Sequence, residues 1–484
     1  MNRPPALFEL IKSLSQSEKR HIKLTASAAK KNSNLMRLFD VIERQQKYDE
    51  LSLQRHFAAT TAGKQLHVTK NHLLELVLKS LRTYHRNASV DATLKDLLRD
   101  IEILFRKDLM DICLHRLAKA EQLAIEHEKQ TALLELLAWK RKLLLAKHSS
   151  FEVRDDLSQI EEQEQRCLDN IKTQSELWQL TANIFHQNST HSPAFAKNPL
   201  LKSAKNVRTV QANILRYHVL FADAYIQGNM VSAERAVSGL IALLERHPQM
   251  IQDDPGAYFT AINNLVGLKL AVKQIDVIPQ LLEKIRTTLH TYQIKHNNPI
   301  ITKHTLRTYS VELEMYRDSR QIAPGIRLIE TIATYLEEND TRAPVEYKIL
   351  FYYQFAYLYF LNNDYRRALH WLGTLVKGKF GQRREDIQSY AKWLTLIIHY
   401  ELGNTTVLKY AVDTCRRFLK LKHELRPFEK TLLNFFSRLS LAAPSQHHDM
   451  FKQLYHELFQ TPGVQITDAV LDYLDFKSWV ESKQ

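Results

Sequence analysis

Glycine and proline are scarce in this chain, 11 and 13 of 484 residues, about 5% together where ordinary proteins carry roughly 12%. So little turn chemistry excludes an architecture of many tight β-turns. Cysteine is scarcer still: Cys113, Cys167 and Cys415 are odd in number and far apart, which excludes a disulfide framework and fits reduced thiols in a cytoplasm. No apolar run approaches the roughly 18 to 20 residues that span a bilayer. The start, MNRPPALFELIKSLSQSEKR, lacks both an uninterrupted apolar h-region and a small-residue cleavage pattern, so no secretory signal is expected.

Chemical motifs are missing too. There is no Cys-x-x-Cys, no Gly-x-Ser-x-Gly elbow and no phosphate-cradling glycine loop ending in Lys-Ser/Thr. The 21 histidines include His-Glu pairs at 127, 423 and 456, none followed by a second histidine at the zincin spacing. His447 and His448 are adjacent, and neighbours on an extended loop point apart, a poor arrangement for a metal. Asp155 with Asp156 and Glu161 with Glu162 sit in charge-alternating, helix-like sequence and read as solvated faces. Nothing converges into an acid, base, nucleophile or metal set, so no enzyme, cofactor or metal is expected.

What the chain does have is a 44% hydrophobic and 25% charged composition, enough to bury a large core. Its 67 Lys/Arg against 53 Asp/Glu give +14, a balance that favours acidic partners such as nucleic acid, an anionic surface or an acidic protein. From residue 91 onward, apolar residues recur three and four apart between short polar joints. Leu97, Ile101, Leu104 and Phe105 form one stripe, and Leu114, Leu117, Ala118 and Leu123 another beyond Lys107 and Asp108: an αα-hairpin. Turn-like joints recur at Lys107, His148, Gly228, Gln274, Arg320, Asn363 and Gly403, a period of roughly 40 to 46 with one joint near Gln187 hidden in the long interval.

The clearest unit, FYYQFAYLYFLNNDYRRALHWLGTL, resembles a tetratricopeptide repeat. Tyr352, Ala356 and Tyr359 match the aromatic, small and aromatic positions of that motif's first helix, and Tyr365 and Ala368 match its second. The resemblance implies an all-α fold: a right-handed α-solenoid of long-helix tetratricopeptide-like hairpins over 91–440, preceded by a small helical bundle in 1–90 and closed by capping helices in 441–484. Long loops are expected near 186–205 and at 440–449. Phe221 and Pro279 occupy positions where the motif has small residues. The stretch KQLHVTKNHL is similar to stretches in uncharacterised bacterial helical-repeat proteins, a likeness that carries no activity.

The N-terminal 90 residues differ from the rest. They hold 16 Lys/Arg against 7 Asp/Glu, a net of +9, and read as helices at 5–14, 17–28, 34–47, 49–57 and 69–86, the last opening at Thr69 as N-cap. On that last helix Lys70, Lys79, Arg82 and Arg86 surround an apolar stripe and are candidates for phosphate or acidic-surface contact. A helix-turn-helix is disfavoured because the joint ATTAGKQLHV is longer than that motif uses. A second basic region supplies Lys377, Lys379, Arg383, Arg384, Arg416 and Arg417, with Lys420 and Lys422 nearby. Of the eight aromatics between Tyr347 and Phe360, most belong to the core. Tyr353 and Tyr357, off the motif stripe, are candidates for a groove that captures a peptide side chain or a base.

These features point to a non-catalytic scaffold or adaptor that binds a protein or ribonucleoprotein partner through the solenoid surface. The competing expectation is a nucleic-acid-binding regulator that uses the basic residues of 1–90, with the solenoid as sensor. The sequence is silent on oligomeric state.

Overall fold

The computed structural model describes residues 6–28, 33–58, 65–147, 154–186, 198–294, 299–340, 342–378, 380–461 and 473–484. Among them the fold is all-α, and no helix is long and apolar enough to cross a membrane. One local device recurs along the chain. Asp108, Glu128, Gly228, Lys273, Gln293, Arg320, Asn363 and Gly403 all have φ between +52° and +71°. In each case the next residue's N–H reaches a carbonyl five positions back: Leu109 to Leu104, Lys129 to Ala124, Asn229 to Ala224, Gln274 to Lys269, Ile294 to Leu289, Gln321 to Tyr316, Asp364 to Tyr359 and Asn404 to His399, at 2.8–3.1 Å. This left-handed helix stop satisfies carbonyls that the ending helix would otherwise orphan, and it reverses the chain in very few residues. Six of these residues lie within one position of a joint read from the sequence. The joints read at His148 and near Gln187 lie outside the described residues.

Contacts divide the chain into two compact units, Met1–Asp254 and Pro255–Gln484. The first unit opens with α1 (Ala6–Ser13), α2 (Gln16–Ala28), α3 (Ser33–Arg44), α4 (Glu50–Phe57) and α5 (Leu66–Tyr84). They close around their own core, in which Ile11, Ile22, Leu38, Phe39, Leu53, Phe57, Leu73 and Val77 are fully buried. Helix α5 begins three residues before the expected Thr69. Gln65 takes the cap position without a side-chain bond, and the Thr69 hydroxyl donates back to the Gln65 carbonyl at 3.0 Å. The apolar stripe through Leu66, Leu73 and Val77 fixes where this helix starts, outweighing the intrinsic preference of Thr for a cap.

Helices α6 (Val90–Arg106), α7 (Met110–Glu126) and α8 (Gln130–Lys147) follow, packed in succession, then the 33-residue α9 (Arg154–His186) and the short α10 (Pro199–Lys202). The unit ends with α11 (Val210–Ile226), α12 (Met230–Arg246) and the short α13 (Pro248–Asp253). Glu128 joins distant parts of the unit. Its carboxylate accepts from the N–H groups of Val210 and Gln211 at 2.8 Å, capping α11 from 82 residues away. Beside it Lys129 bridges Asp91 and Asp253. Phe221, the misfit of its hairpin, stacks on Tyr225 at 5.8 Å instead of entering the helix pair.

The second unit is a run of hairpins: α14 (Pro255–Ala271) with α15 (Ile278–Thr291), α16 (Pro299–Asp318) with α17 (Ile322–Glu338), α18 (Val345–Leu361) with α19 (Tyr365–Lys377), α20 (Glu385–Glu401) with α21 (Thr405–Lys420), and α22 (Pro427–Leu439) with α23 (His447–Tyr455). Each first helix of the opening three pairs packs on its own second helix and on the first helix of the next pair, while α22 packs on α21. From Ile349 to Leu361 helix α18 is apolar but for Gln354 and is largely buried. Ala356 and Ala368 are fully buried in one core, Tyr352 stacks on Trp371 at 5.6 Å, and Tyr359 is buried. Pro279 causes no break, because a 3-10 turn at Ile275–Val277 places it in the first turn of α15, where its missing N–H costs nothing. The closing element, α24, spans Phe476–Glu481. Leu474 and Trp479 are buried, and Val470 and Leu471 lie outside the described residues.

The three thiols are buried and free. Burial pushes all of them up, Cys415 to about 12. Iodoacetamide at pH 8 is therefore expected to leave the native protein unmodified and to alkylate all three cysteines after denaturation, as read by intact mass.

The helix stops generate a second prediction. A Cβ at Gly228 would meet nothing within 4 Å, so Gly228→Ala adds only backbone strain at φ +71°. It should cost about 1 to 2 kcal/mol in urea unfolding. Asp108→Gly relieves the same strain, but the looser unfolded chain offsets it, so stability should change by less than about 1 kcal/mol.

Candidate functional site

The first helices of the second unit carry a polar stripe where their hairpins are otherwise apolar. On α16, Lys303, Arg307, Ser310, Glu314 and Arg317 recur three and four apart, so one face presents them all. Helix α18 meets this face with Gln354, whose amide donates to the Ser310 carbonyl, the Ser310 hydroxyl and Glu314 Oε1 at 3.1–3.3 Å. The Gln354 carbonyl oxygen is buried without a partner among the described residues, which is costly in a protein interior. Glu314 is half-buried and lines two of the spaces along this seam. Burial raises its pKa, more than the neighbouring Arg317 charge lowers it.

Three adjoining spaces lie along this seam. A cavity of about 480 Å³ is lined by Thr260, Lys303, His304, Arg307 and Glu314 among others. Past Glu314 comes a gap of about 20 Å³ between Leu313, Leu350 and Leu358. Past Arg317 and Tyr357, a cavity of about 470 Å³ opens between Lys273, Arg320 and Asp475.

Tyr353 and Tyr357 are not the open groove residues expected from the sequence. They are 1% and 5% exposed, and burial raises the pKa of both phenols. Their hydroxyls hold the C-terminal segment instead. Tyr353 donates to the Tyr473 carbonyl at 2.8 Å, and Tyr357 accepts from the Asp475 N–H at 3.1 Å. The reason is steric: around Tyr353 and Tyr357 α18 is covered on all sides, so a residue off the motif stripe is still buried. Around this anchor Tyr473 stacks on Tyr390 at 4.9 Å and takes a hydrogen bond from Arg384. Asp475 pairs with Arg320 at 3.4 Å, and Trp479 and Lys483 both bond Glu401.

The basic candidates fare unequally. Lys70 is half-buried and committed to Glu50 and Tyr48. Burial would lower its pKa, but these two partners outweigh that and raise it. Lys79 and Arg82 are exposed on α5, and Arg86 is exposed in the turn after it, 3.3 Å from Asp96. In the second basic region Lys377 and Arg417 are exposed, Arg416 is half-buried, and Lys379 lies outside the described residues. Arg383 faces Glu346 at 3.4 Å and Arg384 binds Asp386. Lys422 reaches Glu385 at 2.6 Å, which joins the two basic stretches at one edge.

The residues that sequence reasoning missed are those of α16. Their helical spacing was readable, but a polar stripe is ordinarily a solvent face. No group of His, Cys, Asp and Glu suited to a metal ion occurs among the described residues. No family model, no curated protein and no solved structure matches this chain.

A group whose carboxyl pKa rises on folding lowers stability above its unfolded pKa, here the ordinary 4.5, because the unfolded chain releases the proton first. Glu314→Gln should therefore leave the melting temperature unchanged at pH 4 and raise it at pH 7.5. Equal shifts at both pH values in calorimetry would contradict a raised Glu314 pKa.

Proposed function

We propose that this chain is a non-catalytic helical-repeat scaffold, a right-handed α-solenoid of tetratricopeptide-like hairpins, that holds an extended segment of a protein or ribonucleoprotein partner on the first helices of its hairpins. One observation carries the reading. The chain's own residues Tyr473–Asp475 lie outside any helix, with a carbonyl and an N–H taken up by tyrosine hydroxyls. Hydroxyl groups that satisfy main-chain polar groups are indifferent to sequence. Flanking stacking and ion-pair contacts, here Tyr390 and Arg320, supply selectivity. The same face continues past Asp475 into the cavity between Lys273 and Arg320, where a partner's acidic residues would be drawn.

The second reading is a nucleic-acid-binding regulator. It is favoured by Lys79 and Arg82, exposed on α5, and Arg86, exposed just past its end, in a region of net charge +9.

The test is affinity capture of partners by the full chain from native lysate, with nuclease and at low and high salt. In the scaffold reading a defined protein set survives nuclease and falls at least about tenfold with Lys273→Glu plus Arg320→Glu. Lys79→Glu, Arg82→Glu and Arg86→Glu together leave it intact. The reverse pattern, with capture abolished by nuclease and by the α5 variant, overturns the scaffold reading in favour of the regulator.

A further inference from the structure

We propose that the cavity between α14, α16 and α18 binds a small organic anion, with its carboxylate or phosphate group against Lys303 and Arg307 and its apolar body against Tyr347 and Leu350. This goes beyond partner binding and concerns a different part of the seam. Its volume of about 480 Å³ falls within the range of small-molecule sites, which combine apolar lining with a few convergent polar groups.

The charges facing the cavity leave a positive excess. From α16 come Lys303, His304, Arg307 and Glu314, from α18 Glu346, from the joint before α20 Arg384, while α14 gives the uncharged Thr260. Glu346 is answered by Arg383 at 3.4 Å, and Asp386 engages Arg384 from outside the lining. Burial keeps Glu314 toward its neutral form. Burial, helped by the nearby Arg307 and Lys303 charges, lowers the His304 pKa to about 4, so the imidazole adds no charge at neutral pH. Lys303 and Arg307 remain. Among the described residues no carboxylate pairs with Lys303, and Arg307 is held by the Asn264 side-chain oxygen at 2.7 Å, a neutral partner that orients the guanidinium without cancelling it. Like charges four apart on a helix repel, and an anion between them relieves that repulsion.

The shape argues for a small ligand. The cations gather at one cleft between three helices, whereas nucleic acid needs a track of cations with stacking platforms along a groove. Beside the cations, Tyr347 and Leu350 offer an apolar wall, and the Thr260 and Ser310 hydroxyls could bond a second polar group of the ligand.

The test is differential scanning fluorimetry and titration calorimetry on the full chain with benzoate, phenyl phosphate, inorganic phosphate and benzyl alcohol. The expected result is a saturable rise in melting temperature with benzoate or phenyl phosphate, and whichever of the two acts names the headgroup. Benzyl alcohol should have no effect, and inorganic phosphate should bind at least about tenfold more weakly. Lys303→Gln with Arg307→Gln should weaken the response at least about tenfold. Lys303→Gln alone, at an exposed position, gives a weaker loss in a protein sure to fold, and Lys79→Gln with Arg82→Gln leaves binding unchanged. The proposal is overturned if neither aromatic anion binds, if benzyl alcohol acts equally, or if the variants bind as well as the parent. It is also overturned if an acidic peptide or a single-stranded oligonucleotide binds through Lys303 and Arg307 more tightly than both small anions, which would make the cavity the end of a macromolecular interface. None of these outcomes depends on whether the Lys273 and Arg320 face captures a partner, so the two readings stand or fall separately.

Discussion

The need to cover α18 on every side shapes the second unit. Its 17 residues include Phe351, Tyr353, Phe355, Ala356, Tyr357, Leu358 and Tyr359, all buried. Fully burying one large apolar side chain is worth roughly 1.5 to 3 kcal/mol, so exposing any face of this helix would forfeit several such contributions. Helices α16, α17, α19 and α20 pack on it, and the C-terminal segment adds to the cover. Tyrosine fits this role better than phenylalanine because its hydroxyl can satisfy the main-chain groups of a non-helical neighbour.

A second constraint acts at the hairpin joints. Most of the eight left-handed stops are occupied by ordinary residues rather than glycine, including Lys273, Arg320 and Asn363. Each such residue accepts local backbone strain, and each is held by the bond that closes the preceding helix. Low glycine content and a chain dense in tight helix reversals are thus compatible. The strained residues also gain a use, since Lys273 and Arg320 stand at the mouth of a cavity.

Electrostatics then separates cations that stabilise the fold from cations left available. Lys70, Lys129, Lys422 and Arg384 are spent on carboxylates. Lys79, Arg82, Lys303 and Arg307 are not matched by carboxylates in the same way, and of these only Lys303 and Arg307 share a cavity. Net charge therefore locates nothing by itself. What matters is which positive groups lack a compensating neighbour and converge on one recess.

The all-helical class, the joints at Gly228, Arg320, Asn363 and Gly403, and the burial of Ala356 and Ala368 were legible in the chain, because helical periodicity and turn composition act over a few residues. The start of α5 was misread at Thr69, since the packing of Leu66 extended the helix beyond its best capping residue. Tyr353 and Tyr357 were placed in a groove because sequence spacing shows which face of a helix a residue occupies and not what lies against it. The Tyr473–Asp475 anchor joins residues about 120 positions apart, a separation no local pattern reports. Sequence by itself determined the helices and their stops, because those depend on nearest neighbours along the chain. Tertiary structure alone decided which polar stripe became a recess and which cations remained unmatched, because burial and charge compensation depend on the helices that come to lie alongside.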